Sequence, residues 1–93
     1  MSEPIDVQHA FSAQEALERL HELARRHEVE LTPGTDASSG TLAKAMGFFG
    51  SVRGRYRIEP TRVEIVIESA PAMVGESTLR RLLGEALEEA FRA

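Results

Sequence analysis

The chain has 93 residues, a net charge of −4, 42% apolar and 28% charged residues, and no cysteine. This is enough for one domain of ordinary globular composition; it excludes disulfides and cysteine-based zinc or thiolate chemistry, and the charge argues against a general nucleic-acid binder. No stretch approaches the ~18 apolar residues of a membrane span, and the opening MSEPIDVQ has no basic region followed by an apolar run, so the default expectation is a cytoplasmic protein without a secretory signal.

Taken in order, Ile5, Val7 and Phe11 mark a first strand in IDVQHAF. Ser12 then starts a helix, because Ser12-Ala-Gln-Glu15 matches a capping box. Ala13, Ala16, Leu17, Leu20, Leu23 and Ala24 fall on one face of it, and Arg25, Arg26 and His27 sit in the last turn, where the helix dipole favours positive charge. Val29 and Leu31, set between Glu28 and Glu30, suggest a short strand that Thr32-Pro33-Gly34 ends. Residues 34–40, GTDASSG, read as a polar loop. Residues 41–50, TLAKAMGFFG, are the least legible: a strand, one turn of helix or an apolar loop. A strand over Thr41 to Met46, with a bend or bulge at Gly47 to Gly50, is the favoured reading.

The clearest pattern is the hairpin over residues 51–68, SVRGRYRIEPTRVEIVIE. Val52, Gly54, Tyr56 and Ile58 alternate with Arg53, Arg55 and Arg57, and after residues 59–62 Val63, Ile65 and Ile67 alternate with Glu64, Val66 and Glu68, the period of a half-buried strand. Pairing Ile58 with Val63 puts Tyr56 opposite Ile65 and Gly54 opposite Ile67. On the other face it sets Arg57 against Glu64 and Arg53 against Glu68, charge pairs worth about 0.2–1 kcal/mol each. Ser69-Ala70-Pro71 ends the strand. An apolar connection, Ala72-Met73-Val74-Gly75, leads to a helix capped near Ser77, with Leu79, Leu82, Leu83, Ala86, Leu87, Ala90 and Phe91 on its apolar side. Gly84 interrupts this helix, and close approach to the sheet is one reason to keep a glycine there. The order is strand, helix, short strand, two or three further strands, helix. Two amphipathic helices and a sheet with one apolar face combine most economically as an α+β two-layer sandwich: a mainly antiparallel sheet of about four strands (β-α-β-β-β-α) covered on one face by two helices, in a single domain over residues 1–93.

Sites of chemistry are scarce. His9, His21 and His27 have no metal-ligand spacing and read as surface or boundary residues. No serine sits in a GxSxG elbow, Ser12 and Ser77 being explained as caps, and Gly34 to Gly40 has no lysine to make a phosphate loop. Glu85, Glu88 and Glu89 beside Arg81 and Arg92 read as a solvated helix face. The row Arg53, Arg55, Arg57 could track a phosphate backbone, but Glu64 and Glu68 should neutralise it, and Gly47-Phe48-Phe49-Gly50 fits neither a KH loop nor an RRM strand. That leaves two apolar segments, Leu42 to Phe49 and Ala72 to Val74. Either Phe48, Phe49, Met73 and Val74 plug the ends of a small core, or they form an exposed patch that binds a partner.

Ile5-x-Val7-x-His9, the capped helix with Ala16, Leu20 and Ala24, Gly54-x-Tyr56-x-Ile58, Val63-x-Ile65-x-Ile67, the apolar connection and the last amphipathic helix together resemble the small bacterial polyhydroxyalkanoic acid system proteins, over Ile5 to Phe91. Family members often have a Pro-His pair after the first strand; here Gln8 precedes His9, and the segment from Thr32 to Gly50 is longer than usual. The resemblance implies a cytoplasmic, non-enzymatic accessory protein associated with storage-polymer granules or their proteins, with no catalytic motif, cofactor or metal to carry over. The expected function is therefore an interaction module whose partner is a protein or a granule surface, with Phe48, Phe49, Met73 and Val74 as the contact candidates. A homo-oligomer through an exposed strand edge is compatible with this. The alternatives are RNA binding through Arg53, Arg55 and Arg57, or a small ligand held between sheet and helices.

Overall fold

A computed structural model describes residues 4–36, 38–47, 50–71 and 75–92. The elements are β1 (Ile5–Gln8), α1 (Ala13–Arg26), β2 (Glu30–Pro33), β3 (Ser39–Ala45), β4 (Ser51–Ile58), β5 (Arg62–Ser69) and α2 (Glu76–Ala90). The class is the expected α+β sandwich. The sheet has five strands, one more than expected, in the order β1-β5-β4-β3-β2, and every neighbouring pair is antiparallel. The strand favoured over Thr41 to Met46 is present as β3, but it begins at Ser39, inside the stretch read as a polar loop, and its alternation is weak because its inward positions are Gly40, Leu42 and Lys44 and only Leu42 is buried.

This order follows from chain length and handed packing. Strands β2 to β5 form a meander of short hairpins, which needs only tight turns. β1 and β2 lie at opposite edges, so α1 must cross the full width of the sheet to join them. Its apolar stripe, with Ala16, Leu20 and Ala24 buried, is thereby laid over the inward row of Val52, Tyr56 and Ile58 of β4 and Val63, Ile65 and Ile67 of β5. α2 leaves β5, packs against β1 and α1, and buries Leu87, with Phe91 buried just past its end. Burying each such aliphatic side chain contributes about 1.5–3 kcal/mol.

The hairpin register is as expected from Ile58↔Val63 through Gly54↔Ile67, but there it slips by one residue. Arg53 therefore faces Ser69, not Glu68, and Glu68 pairs with Arg55 at 2.9 Å. The irregularity coincides with a close approach: a Cβ on Gly54 would stand 2.5 Å from the Val66 carbonyl oxygen. Arg57 does oppose Glu64, yet the Glu64 carboxylate is held by its own-strand neighbour Arg62 at 2.8 Å, and Arg62 also reaches Glu59 at 3.3 Å.

Both ends of α1 follow the local code. The Ser12 hydroxyl accepts from the Glu15 N–H at 3.1 Å. The Glu15 carboxylate turns toward Arg19 at 3.4 Å, so the cap is one-sided. At the other end the chain reverses through Glu28 in the left-handed region (φ 57°), with Val29 N–H donating to Ala24 and Glu28 N–H to Arg25, a Schellman closure. For α2, the expected cap at Ser77 is corrected: Gly75 is the capping residue, no side chain caps it, and Ser77 lies in the first turn. Gly84 is corrected too, since a Cβ there would meet nothing within 4 Å; no close approach requires it.

Candidate functional site

The two ends of the helix–sheet layer differ. One end is sealed around His9, which is 8% exposed and so is a buried residue, unlike the exposed His21 and His27. Phe11 N–H donates to His9 Nδ1 at 3.1 Å, so Nε2 carries the proton and donates to the Glu59 carbonyl at 2.8 Å. His9 thereby ties β1 to the β4–β5 turn, and its ring lies among Phe11 and Phe91, with centroids 6.2 and 5.7 Å away. Arg19 completes the seal. Its guanidinium lies 3.9 Å from the Phe11 ring centroid and donates at 2.9 Å to the carbonyl of Ala90, at the end of α2. That helix has no basic residue in its own last turn, so Arg19 supplies the charge its dipole favours. His9 is thus a structural strut with both ring nitrogens occupied.

The opposite end is open. Here α1 ends and α2 begins, on the β2–β3 side of the sheet. A groove of about 280 Å³ lies between them. Leu20, Leu23 and Ala24 of α1 form one wall, and Leu79, Leu82, Leu83 and Ala86 of α2 the other. The floor is Leu31, Leu42, Val52 and Ile65, with Val29 and Met46 at its borders. At its rim Leu82 is 55% exposed, the one large hydrophobic residue so exposed among the described residues. The local reason is geometric. α2 carries an apolar face along its whole length, but of the helix itself only Leu87 is fully buried, while Leu79 and Leu83 are half-buried against the core.

Among the described residues the only polar side chains lining the groove are His27 and Lys44. Lys44 is at an inward register position, opposite Val52 and two residues from both Leu42 and Met46. Its ammonium donates at 2.6 Å to the carbonyl of His27, the C-cap of α1, a favourable place for a cation.

Phe48, Phe49, Met73 and Val74 lie outside the described residues. Met46, two residues before Phe48 in the chain, lines the groove. The leucines of α2 were legible as an apolar helix face; nothing in their spacing marked them as a groove wall. The groove lies between sheet and helices, and apart from His27 and Lys44 the described residues that line it are aliphatic.

On the uncovered face of the sheet, the arginine row is divided. Arg55 is paired with Glu68, and beside the row Arg62 is shared among Glu59, Glu64 and Asp6. Past the end of β2, Ser38 donates to Asp36 through both its N–H (2.8 Å) and its hydroxyl (2.7 Å), which holds the Asp36 carboxyl below its usual range, with a smaller contribution from the charge of Arg57. Acidic side chains thus interleave the basic ones. No helix among the described residues is long and apolar enough to cross a membrane. Compared with known proteins, the chain matches no family model, and no curated protein matches it.

Proposed function

We propose that this chain is a non-enzymatic binding module that receives an aliphatic guest in the groove between α1, α2 and the β2–β3 side of the sheet. The observation that carries this reading is the groove itself: a space of about 280 Å³ walled by leucines, with Leu82 left 55% exposed at the rim. Apolar pockets with a few placed polar groups are the usual form of a small-molecule site, and alkyl side chains offer no groups for acid–base or nucleophilic work. The resemblance to the polyhydroxyalkanoic acid system proteins points the same way, since an aliphatic polyester granule in the cytoplasm is a surface of the same chemical class. RNA binding through Arg53, Arg55 and Arg57 is the weaker reading, because glutamates share that face.

The test uses the most exposed wall residue. Leu82→Glu removes little buried area, so its melting temperature should stay within about 2 °C of the wild type. Its retention on an octyl-substituted matrix and its co-sedimentation with polyester granules should fall at least ~10-fold, the effect of placing a charge where alkyl groups are expected to be desolvated. Undiminished binding by a folded Leu82→Glu variant would remove the groove from consideration.

A further inference from the structure

Resting on the reading of the groove as a binding site, we infer that its guest is a straight-chain aliphatic carboxylate, with the alkyl tail along the leucines and the carboxylate on Lys44. Two observations lead there. The first is the kind of apolar surface. Among the described residues Leu, Ala, Val, Met and Ile make up the apolar lining of the groove, with His27 the one ring beside them. A flexible alkyl chain conforms to such branched side chains in an open trough, whereas a planar ring gains most from a flat face to stack on. The volume, about 280 Å³, is nearly twice the ~150 Å³ apolar cavity that suffices for benzene, and it suits a chain of roughly ten carbons at about one water volume each.

The second observation is the charge. Alternation along β3 sets Lys44 on the inward face between Leu42 and Met46, where an apolar residue would otherwise complete the floor. A lysine at such a position keeps its stem along apolar surface and its ammonium at the edge. Among the described residues the His27 carbonyl is the partner of that ammonium, and an ammonium has three N–H donors. Among the described residues Lys44 is also the only lysine, arginine or carboxylate side chain lining the groove, in a chain whose net charge is −4. A positive charge at the edge of an apolar trough matches an anionic head group at the end of an apolar tail. The two arginines and the glutamates near this corner, Arg25, Arg26, Glu22 and Glu28, belong to the solvent side of α1 and its end, and Glu22 is already held by Arg25 at 2.6 Å.

The guest is the free acid in its monomeric form. The experiment titrates the full chain with decanoate and with 1-decanol, each below its aggregation limit, following the methyl resonances of Leu79, Leu82 and Leu83. Decanoate should bind at least ~10-fold more tightly than decanol, and octanoate ~10-fold more weakly than decanoate for its two missing methylenes. Lys44→Met, which keeps the apolar stem, should abolish the preference for the acid over the alcohol; Lys44→Arg should keep it. Should Lys44→Met lose its fold, the wild-type comparison and Lys44→Arg still decide the matter. Equal binding of acid and alcohol by the wild type overturns the carboxylate assignment and leaves the aliphatic groove standing. Binding of neither removes both, and association only with fatty-acid-containing vesicles, without monomer binding, also overturns the inference.

Discussion

Tyr56 is the residue on which the sheet's inner face turns. It is 2% exposed, opposite Gly40 on β3 and Ile65 on β5. Its ring is accommodated only because Gly40 has no side chain: a Cβ there would stand 2.7 Å from the Tyr56 hydroxyl. That hydroxyl has no hydrogen-bond partner among the described residues, a state that costs about 1–3 kcal/mol, and burial pushes the phenol above its usual value of 10.0. The sign of the linkage follows. In the folded state the phenol holds its proton at a pH where the unfolded chain has released it, so the contribution to stability is full below about pH 10 and is lost as pH rises through the folded value. Tyr56→Phe should therefore melt at the same temperature as the wild type or up to ~5 °C higher at pH 7. It should also lack this part of the alkaline decline seen from about pH 10 upward; melting curves from pH 7 to 11 check both, and an identical alkaline decline in the two proteins would contradict the assignment.

At the scale of the element, α2 is the weaker of the two helices. α1 has a side-chain cap, an acidic residue in its first turn and basic residues in its last. α2 has no side-chain cap, no basic residue in its last turn and a glycine in its interior. Because a Cβ at position 84 would meet nothing within 4 Å, Gly84 serves no packing need, and Gly84→Ala should stabilise the chain by about 0.5–1 kcal/mol through helix propensity alone. On a domain of this size that is a rise of roughly 2–8 °C in melting temperature. A fall would mean that some group occupies the space beside Gly84. The strands show how far pattern reaches. In β4 and β5 the inward residues are buried and the outward ones exposed or half-buried, so a period of two is visible in the chain. In β3 and β2 the inward face runs out over the groove, burial is partial, and the pattern fades with it.

Across the whole molecule, the layer is closed at one end and open at the other. The closed end depends on Arg19, which touches the Phe11 ring, the Ala90 carbonyl and Glu15 at once. The ring contact and the charged hydrogen bond at a half-exposed site together contribute about 1–2 kcal/mol. Arg19→Ala should thus lower the melting temperature by roughly 4–10 °C, whereas Glu15→Gln, which breaks only the exposed ion pair, should change it by less than about 3 °C. A thermal melt of the two variants separates a clamp between helices from an ordinary surface charge. The open end holds the candidate site, and this contrast could not be read from the chain. Local alternation, the Ser12 cap and the apolar helix faces determined the elements, their class and most of the hairpin register, because each depends on neighbours a few residues away. Whether Leu79, Leu82 and Leu83 would be sealed or left as a groove wall, and whether Lys44 would stand at its floor, was decided only by the tertiary structure. Those outcomes depend on where two helices come to rest across a five-stranded sheet, and no spacing along the sequence encodes the width left uncovered between them.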